Sequence, residues 1–229
     1  MKYNNTKNAI FLHRPNRFLA QILVDGREEI VHVKNTGRLK ELLSVGARVI
    51  VAEALKPDRK TKYSLIAVYK GDVLFNIDSQ VPNAVVYEGL LDGKVSGLEE
   101  LTQLSRERVF GNSRFDLYYE TKERKGFIEV KGVTLEAEGI AMFPDAPTER
   151  GTKHIYEMIK ATEEGYSGSL LFLLQMKGAT YFTPNKIRDP QFTKALILAK
   201  EKGVQLLAYD SIVTEDEIRL GDPVRIKLQ

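Results

Sequence analysis

Along the first third of the chain, apolar and polar positions alternate with the period of β-strands. Residues 17–24 (RFLAQILV) and 29–33 (EIVHV) flank Asp25-Gly26, a turn signal. Residues 47–54, 63–69 and 73–77 repeat the pattern, and residues 38–43 suit a short helix. Five short strands with one small helical insert predict a closed barrel of the OB type, with an SH3-like barrel as the nearest competitor.

Beyond this the pattern changes. Residues 78–83 (DSQVPN) read as a linker, because Pro82 bars central-strand pairing and Asn83 can cap a helix. That helix covers residues 84–91 and ends at Gly93. Ser96-x-x-Glu99 is a capping-box pattern and predicts a second helix through Leu98, Leu101 and Leu104. Strands at 114–120 and 127–131 follow, joined by the polar stretch 121–126. A helix over 153–164 buries Ile155, Met158, Ile159 and Thr162 and stops at Gly165. Residues 170–175 form a buried strand. Asp189-Pro190 opens another helix, which runs to Lys202 and stops at Gly203. Residues 204–209 make one more buried strand, and two short strands, near Ile218 and over 224–228, close the chain. The reading is an α/β (α+β) chain: an OB-like barrel over 1–80, then a mixed α/β domain over 81–229 with its sheet covered on both faces.

Charge divides the chain at the same place. Residues 1–75 carry 14 Lys/Arg against 7 Asp/Glu, whereas residues 76–229 carry 20 against 24. A basic module beside a mildly acidic one predicts a polyanionic partner for the first, although a basic face kept only for solubility has the same composition. Arg14, Arg17, Lys34, Arg38, Arg59, Lys60 and Lys62 interleave with Phe11, Phe18 and Tyr63, as in surfaces that track a nucleic-acid backbone and stack its bases. Asp58-Arg59-Lys60-Thr61-Lys62 is the densest charged run. DNA, double- or single-stranded, is the expected partner, and RNA fits the same chemistry. Cysteine is absent, which excludes disulfides, thiolate zinc sites and a cysteine nucleophile. Residues 1–8 lack an apolar signal core, and apolar runs such as 170–174, among the longest in the chain, are too short to cross a bilayer. A cytoplasmic protein away from membranes is expected, with a homo-oligomer left open.

The candidate chemistry lies in the second domain. Glu129 and Lys131 share one face of their strand. If residues 121–126 turn a hairpin, its centre falls near residue 122 or 123, and Asp116 lies across from Glu129. Two carboxylates with a free coordination position suit Mg2+ or Mn2+, which prefer oxygen ligands and keep several waters. Such an ion polarises a phosphoryl oxygen and acidifies its water, and Lys131 can orient that water or offset transition-state charge. Asp116 and Glu129 are the expected metal ligands, Glu88 is a further candidate, and Gln175 is placed to face the same cleft. A plain cross-strand ion pair is the structural alternative. The turn-rich segment 143–154 (FPDAPTERGTKH) leads into a helix whose start, with Arg150, Lys153 and His154, suits phosphate. The three histidines show no metal-ligand spacing, and no P-loop, nucleophile elbow or dinucleotide fingerprint is present.

Several ordered segments resemble the sugar fermentation stimulation protein A family: RFLA at 17–20, NTGRLKELL at 35–43, RKT at 59–61, PN at 82–83, RFD at 114–116, EVKGVTL at 129–135, FPDA at 143–146, ERGTKH at 149–154, DP at 189–190 and LAY at 207–209. The resemblance covers nearly the whole chain. It implies an N-terminal OB-like domain and a C-terminal domain similar to the PD-(D/E)XK restriction-endonuclease group. It also implies DNA binding and a link to regulation of sugar (maltose) utilisation. The acidic residue of the nuclease pattern then corresponds to Asp116 and its E-x-K to Glu129 and Lys131, with Phe115 where the pattern has proline. Three functions follow in order: a DNA-binding protein with a regulatory role, an active metal-dependent DNA phosphodiesterase, and a carbohydrate-binding protein suggested by the family name alone.

Overall fold

A computed structural model describes residues 1–54 and 59–228. Asp58 lies outside the described residues. Strand β1 (Thr6–Asn16) is long enough to serve two neighbours. Its second half pairs with β2 (Leu19–Val24) and its first half with β4 (Arg48–Glu53), both antiparallel. β2 continues into β3 (Arg27–Val33) through the Asp25-Gly26 turn, where both residues have positive φ. β4 pairs with β5 (Tyr63–Lys70), and a short parallel contact, His32↔Ser64 and Val33↔Leu65, joins β3 to β5 and closes the barrel. A five-stranded barrel closed in this order is an OB fold, not an SH3-like one. Its interior is apolar, with Ala20, Ile22, Val31, Val49 and Leu65 fully covered. The short helix expected at 38–43 is a single turn: Leu43 N donates to Leu39 O at 2.8 Å. Buried Leu39, Leu42 and Leu43 hold it against the barrel core, which is all that the segment's apolar pattern required. β6 (Val73–Asn76) extends the sheet beyond β5.

The expected linker is a fastened junction. Asp78 is fully buried; its Oδ2 meets Lys34 Nζ at 2.9 Å and its Oδ1 accepts from Gln80 N at 3.0 Å. Helix α1 (Pro82–Leu91) starts at the proline, and its N-cap residue, Val81, makes no side-chain cap bond. Asn83 therefore does not cap the helix, and its side chain is left for the site described below. Residues Met1–Tyr3 also join the second domain: Lys2 bridges to Glu217, and Tyr3 N donates to Asp216 O at 2.7 Å.

The second domain is built on a six-stranded sheet in the order β15-β14-β12-β9-β8-β7. The helix expected from Ser96 onward does not form. Glu99 closes a local turn by accepting from Gly97 N at 2.8 Å, and β7 (Gln103–Phe110) runs as an edge strand along β8 (Ser113–Glu120). Pairing along β8 overrides the capping signal, and a polar edge strand shows no alternation that would betray it. β9 (Lys125–Val133) lies between β8, antiparallel, and β12 (Ser167–Leu174), parallel. β10 (Leu135–Ala137) and β11 (Ile140–Phe143) form a small second sheet with β13 (Tyr181–Pro184). Helix α2 (Glu149–Glu163) begins one turn earlier than the pattern suggested, because Thr148 caps it by accepting from Gly151 N at 3.0 Å. Helix α3 (Pro190–Glu201) is capped by Asp189, which accepts from Phe192 N at 2.9 Å. β14 (Gln205–Val213) and β15 (Ile218–Pro223) complete the large sheet. Of the strand expected at 224–228, only a single bridge, Phe182↔Ile226, is present. Val85, Val86 and Leu90 of α1 share a core with Leu117, Ile128, Val130 and Leu171, whereas α2 and α3 pack in the larger core with Phe127, Leu170 and Phe172. Among the described residues no helix is long and apolar enough to cross a membrane.

Candidate active site

β8 and β9 pair in register from Glu120↔Lys125 to Leu117↔Ile128, so the hairpin is centred between residues 122 and 123. One step further on, pairing stops. Phe115 packs in the larger core, but Leu117 and Tyr119 pack in the other, so the strand changes face at Asp116. Glu107, opposite on β7, has φ 57° and interrupts the ladder there. The Asp116 carboxylate fills the gap: Oδ2 accepts from Val130 N at 2.8 Å, and Oδ1 accepts from Asn83 Nδ2 at 2.7 Å. Main chain and the first turn of α1 thus aim this carboxylate.

Glu129 sits mid-sheet beside Leu170, which opens the apolar run of β12, and is only 2% exposed. Lys131 Nζ donates to Glu129 Oε1 at 2.7 Å, and His154 Nδ1 hydrogen-bonds to the same oxygen. Glu129 Oε2 is buried with no partner among the described residues. Leaving a buried acceptor unsatisfied costs about 1–3 kcal/mol, and more when charged, so a cation at this oxygen would relieve that cost.

The electrostatics separate the two acids. Burial, aided by the charge of Glu129, pushes the Asp116 carboxyl up, against the opposing Val130 amide, Lys131 and Asn83. Burial also pushes Glu129 up, but the hydrogen bond from His154 and the charge and hydrogen bond of Lys131 outweigh it and hold this carboxyl below its usual range. Two neighbouring carboxylates driven apart in this way are arranged for different tasks. A divalent cation would relieve the repulsion between them and occupy the free oxygen. Asp116 and Glu129 Oε2, with water as the remaining ligands, would be a donor set that suits Mg2+ or Mn2+. Among the described residues no group of three or more His, Asp or Glu forms a closed cage, so water would complete the coordination.

Other expected site residues fall in several places. Glu88 does not join the pair: on the exposed side of α1, it binds the Met1 ammonium at 2.5 Å. The apolar face of α1 lies on the sheet, which turns Glu88 away from it. Gln175 faces the domain junction, where Nε2 donates to Asn76 O, Asn76 Oδ1 and Asp78 O. Arg150 and Lys153 are exposed on the first turns of α2, while His154 turns inward. Lys186 and Arg188 are exposed on the neighbouring loop, which is tied to the start of α2 by Thr148 N donating to Asp189 Oδ2 at 2.8 Å. His154 is the member that motif spacing missed. A lone polar residue on the buried stripe of an amphipathic helix was its only signal.

The barrel's cations do not form one surface. Arg17, Arg38 and Lys40 line a groove of ≈ 390 Å³ with Phe11, Leu43 and Val45. Phe18, half exposed, lies against the Arg17 guanidinium, 5.6 Å from it. Phe11 and Tyr63 are core residues and cannot stack on a ligand. Arg59, Lys60 and Lys62 line a separate groove with Glu28, Glu29 and Glu53. Arg59 donates there to Ser64 and Thr61, and Lys62 faces Glu53 at 4.0 Å, so neighbouring groups already engage much of this charge. Arg14 is structural: its guanidinium donates to the carbonyls of Arg17, Asn35, Gly37 and Arg38.

Comparison with known proteins agrees with this architecture. Residues 12–77 match the SfsA N-terminal OB domain, and residues 80–217 match the sugar fermentation stimulation protein RE domain. A sugar fermentation stimulation protein homolog of Alkaliphilus oremlandii is 56% identical over 99% of this chain and 98% of its own length. One from Desulfitobacterium hafniense strain Y51 is 54% identical over 100% of this chain and 99% of its own. The structure of Pyrococcus furiosus SfsA in complex with Ca2+ superimposes with a TM-score of 0.89 at 28% identity, covering 99% of this chain and 98% of that one. With both domains matched in order, and relatives more than half identical along the full length, the chain belongs to the sugar fermentation stimulation protein family.

Proposed function

We propose that this protein binds DNA across both domains and hydrolyses its phosphodiester bonds at Asp116, Glu129 and Lys131 with Mg2+ or Mn2+. The observation that carries this reading is the unpaired, buried Glu129 Oε2 beside a second carboxylate. The complex of the Pyrococcus furiosus relative with Ca2+ supports it, since Ca2+ shares the preference for oxygen ligands.

Asp116 and Glu129 would hold the ion, which supplies Lewis-acid polarisation of the phosphate and an acidified water. Lys131 stands 2.7 Å from Glu129 Oε1, where its ammonium can orient the attacking water or balance charge on the phosphoryl oxygens. His154 holds Glu129 in place, and Asn83 with the Val130 amide holds Asp116. Arg150 and Lys153, at the positive end of α2, suit the strand's phosphates, as do Arg17 and Arg38 on the barrel.

Labelled single- and double-stranded DNA incubated with the protein and Mg2+, Mn2+ or EDTA tests this. Cleavage that disappears in EDTA and in Lys131→Ala is expected. Salt-sensitive retention without cleavage under any metal would leave a DNA-binding protein, the form in which a regulatory link to sugar (maltose) utilisation would operate. Absence of DNA affinity at low salt would remove both readings.

A further inference from the structure

We propose that the cleft between the barrel loop at Asn35–Gly37 and the end of β9 receives one unpaired, amino-bearing nucleobase of the bound strand. The proposal rests on the DNA reading above and adds to it a substrate class, a strand with a base free of its partner. The cleft holds ≈ 160 Å³. That is below the roughly 300–1,000 Å³ of sites for drug-sized molecules, and suits a single ring system. Leu135, Met142 and Phe143 supply apolar lining, and Thr36, Thr134 and Gln175 supply polar groups.

Gln175 is the telling residue. It is 2% exposed, and its Nε2 is committed to three acceptors of the junction at 3.0–3.2 Å. Gln175 lines the cleft, and no group among the described residues donates to its Oε1. A side chain at Gly132 would collide with this oxygen, since a Cβ there would lie 2.6 Å from it. Asp145 offers a second acceptor from the opposite wall, close against Gly37, whose Cβ would lie 2.7 Å from Asp145 Oδ2. Asn35 is occupied, donating to Ile77 O and accepting from Gly37 N, and so it shapes the loop. Two acceptors in a narrow cleft with polar groups beside a few apolar ones call for a planar ligand edge rich in N–H groups. Adenine, cytosine and guanine carry such an edge, and thymine has only one N–H. In a duplex that edge is already paired, so the base must be unpaired. Gly132 follows Lys131 directly on β9, which puts the cleft within about 10 Å of the lysine along the strand, the reach of a neighbouring nucleotide.

The test uses the full chain in EDTA, with fluorescence anisotropy on an all-thymine oligonucleotide and on the same strand with one internal 2-aminopurine. The 2-aminopurine strand is expected to bind about ten-fold more tightly, the usual scale of one captured base, with a change in its fluorescence. Thr36→Trp, an exposed change at the cleft's mouth, should abolish the gain, and Asp145→Ala, also exposed, should reduce it. Equal affinity for the two strands, or a gain that survives Thr36→Trp, overturns the base pocket while leaving the DNA reading intact. No binding of either strand at low salt overturns both.

Discussion

The two domains treat charge in opposite ways. Between Thr6 and Lys70 the barrel buries a single polar side chain among the described residues, Ser64, and keeps its cations on the rim. The α/β domain buries Glu129, His154, Gln175, Asp189 and Asp210. An apolar barrel with exposed arginines can attract a polyanion. Burying a carboxylate is costly, and a sheet that does so while leaving one oxygen unpaired holds a group poised for a cation. The two regions thus differ in kind: exposed cations on the barrel rim, and a pair of buried carboxylates with oppositely shifted pKa values between β8, β9 and α2.

The largest expected effect breaks the chemistry alone. Lys131→Ala should lower cleavage by about 10²–10³-fold, the usual cost of one group that stabilises transition-state charge. DNA affinity in EDTA should change by less than about two-fold, the small effect of one lost charge at moderate salt. Steady-state cleavage and anisotropy on the same preparation check it, and a parallel fall in both would merge the two roles.

Breaking the barrel should do the reverse. Arg17→Ala with Arg38→Ala removes two candidate phosphate contacts and should flatten the plot of log affinity against log salt by about 1.4–1.8. Charge reversal at Arg59, Lys60 and Lys62 should also weaken binding, but by less per residue, because Glu28, Glu29 and Glu53 share that groove. An equal slope change at both grooves would show that the barrel presents one continuous surface.

A smaller effect sharpens the contrast inside the site. Asp116 has a raised pKa, so the metal-free protein carries a penalty that is fully present above that pKa and relieved as pH falls below the unfolded value. Asp116→Asn should therefore stabilise the metal-free protein at pH 7, with the gain shrinking toward pH 4. The new amide can still accept from Val130 N, and Asn83 can flip to receive its N–H. Glu129 has a lowered pKa, so its contribution is present at neutral pH and lost as pH falls; Glu129→Gln should destabilise at pH 7. Urea melts in EDTA from pH 4 to pH 8 read both signs. Thr148→Ala, which removes the α2 cap, should cost about 1 kcal/mol by the same melts and slightly loosen His154, in the second turn of the helix.

Much of this was legible because the governing forces are short-range. The 121–126 turn sets the register that puts Asp116 and Glu129 on neighbouring strands, and Asp189-Pro190 marks the start of α3 by its own hydrogen bonding. The capping-box pattern at Ser96 misled, because β8 offered the following segment a ladder that no local signal announces. Glu88 and Asn83 share one helix, yet only Asn83 reaches the carboxylate, a choice made by which face of α1 meets the sheet.

Sequence alone placed many of the strands and the three main helices, though not β1, β7, β10, β11 or β13. It also showed the charge division between the two halves and offered Asp116, Glu129 and Lys131 as one set, since each of these depends on neighbours a few residues away. Tertiary structure alone decided that His154 from a distant helix meets Glu129, that Gln175 serves the junction and its cleft, and that the barrel's cations divide between two grooves. Those pairings join residues tens of positions apart. Which of them form is decided when two apolar surfaces pack, and the polar groups carried on those surfaces meet only as a consequence.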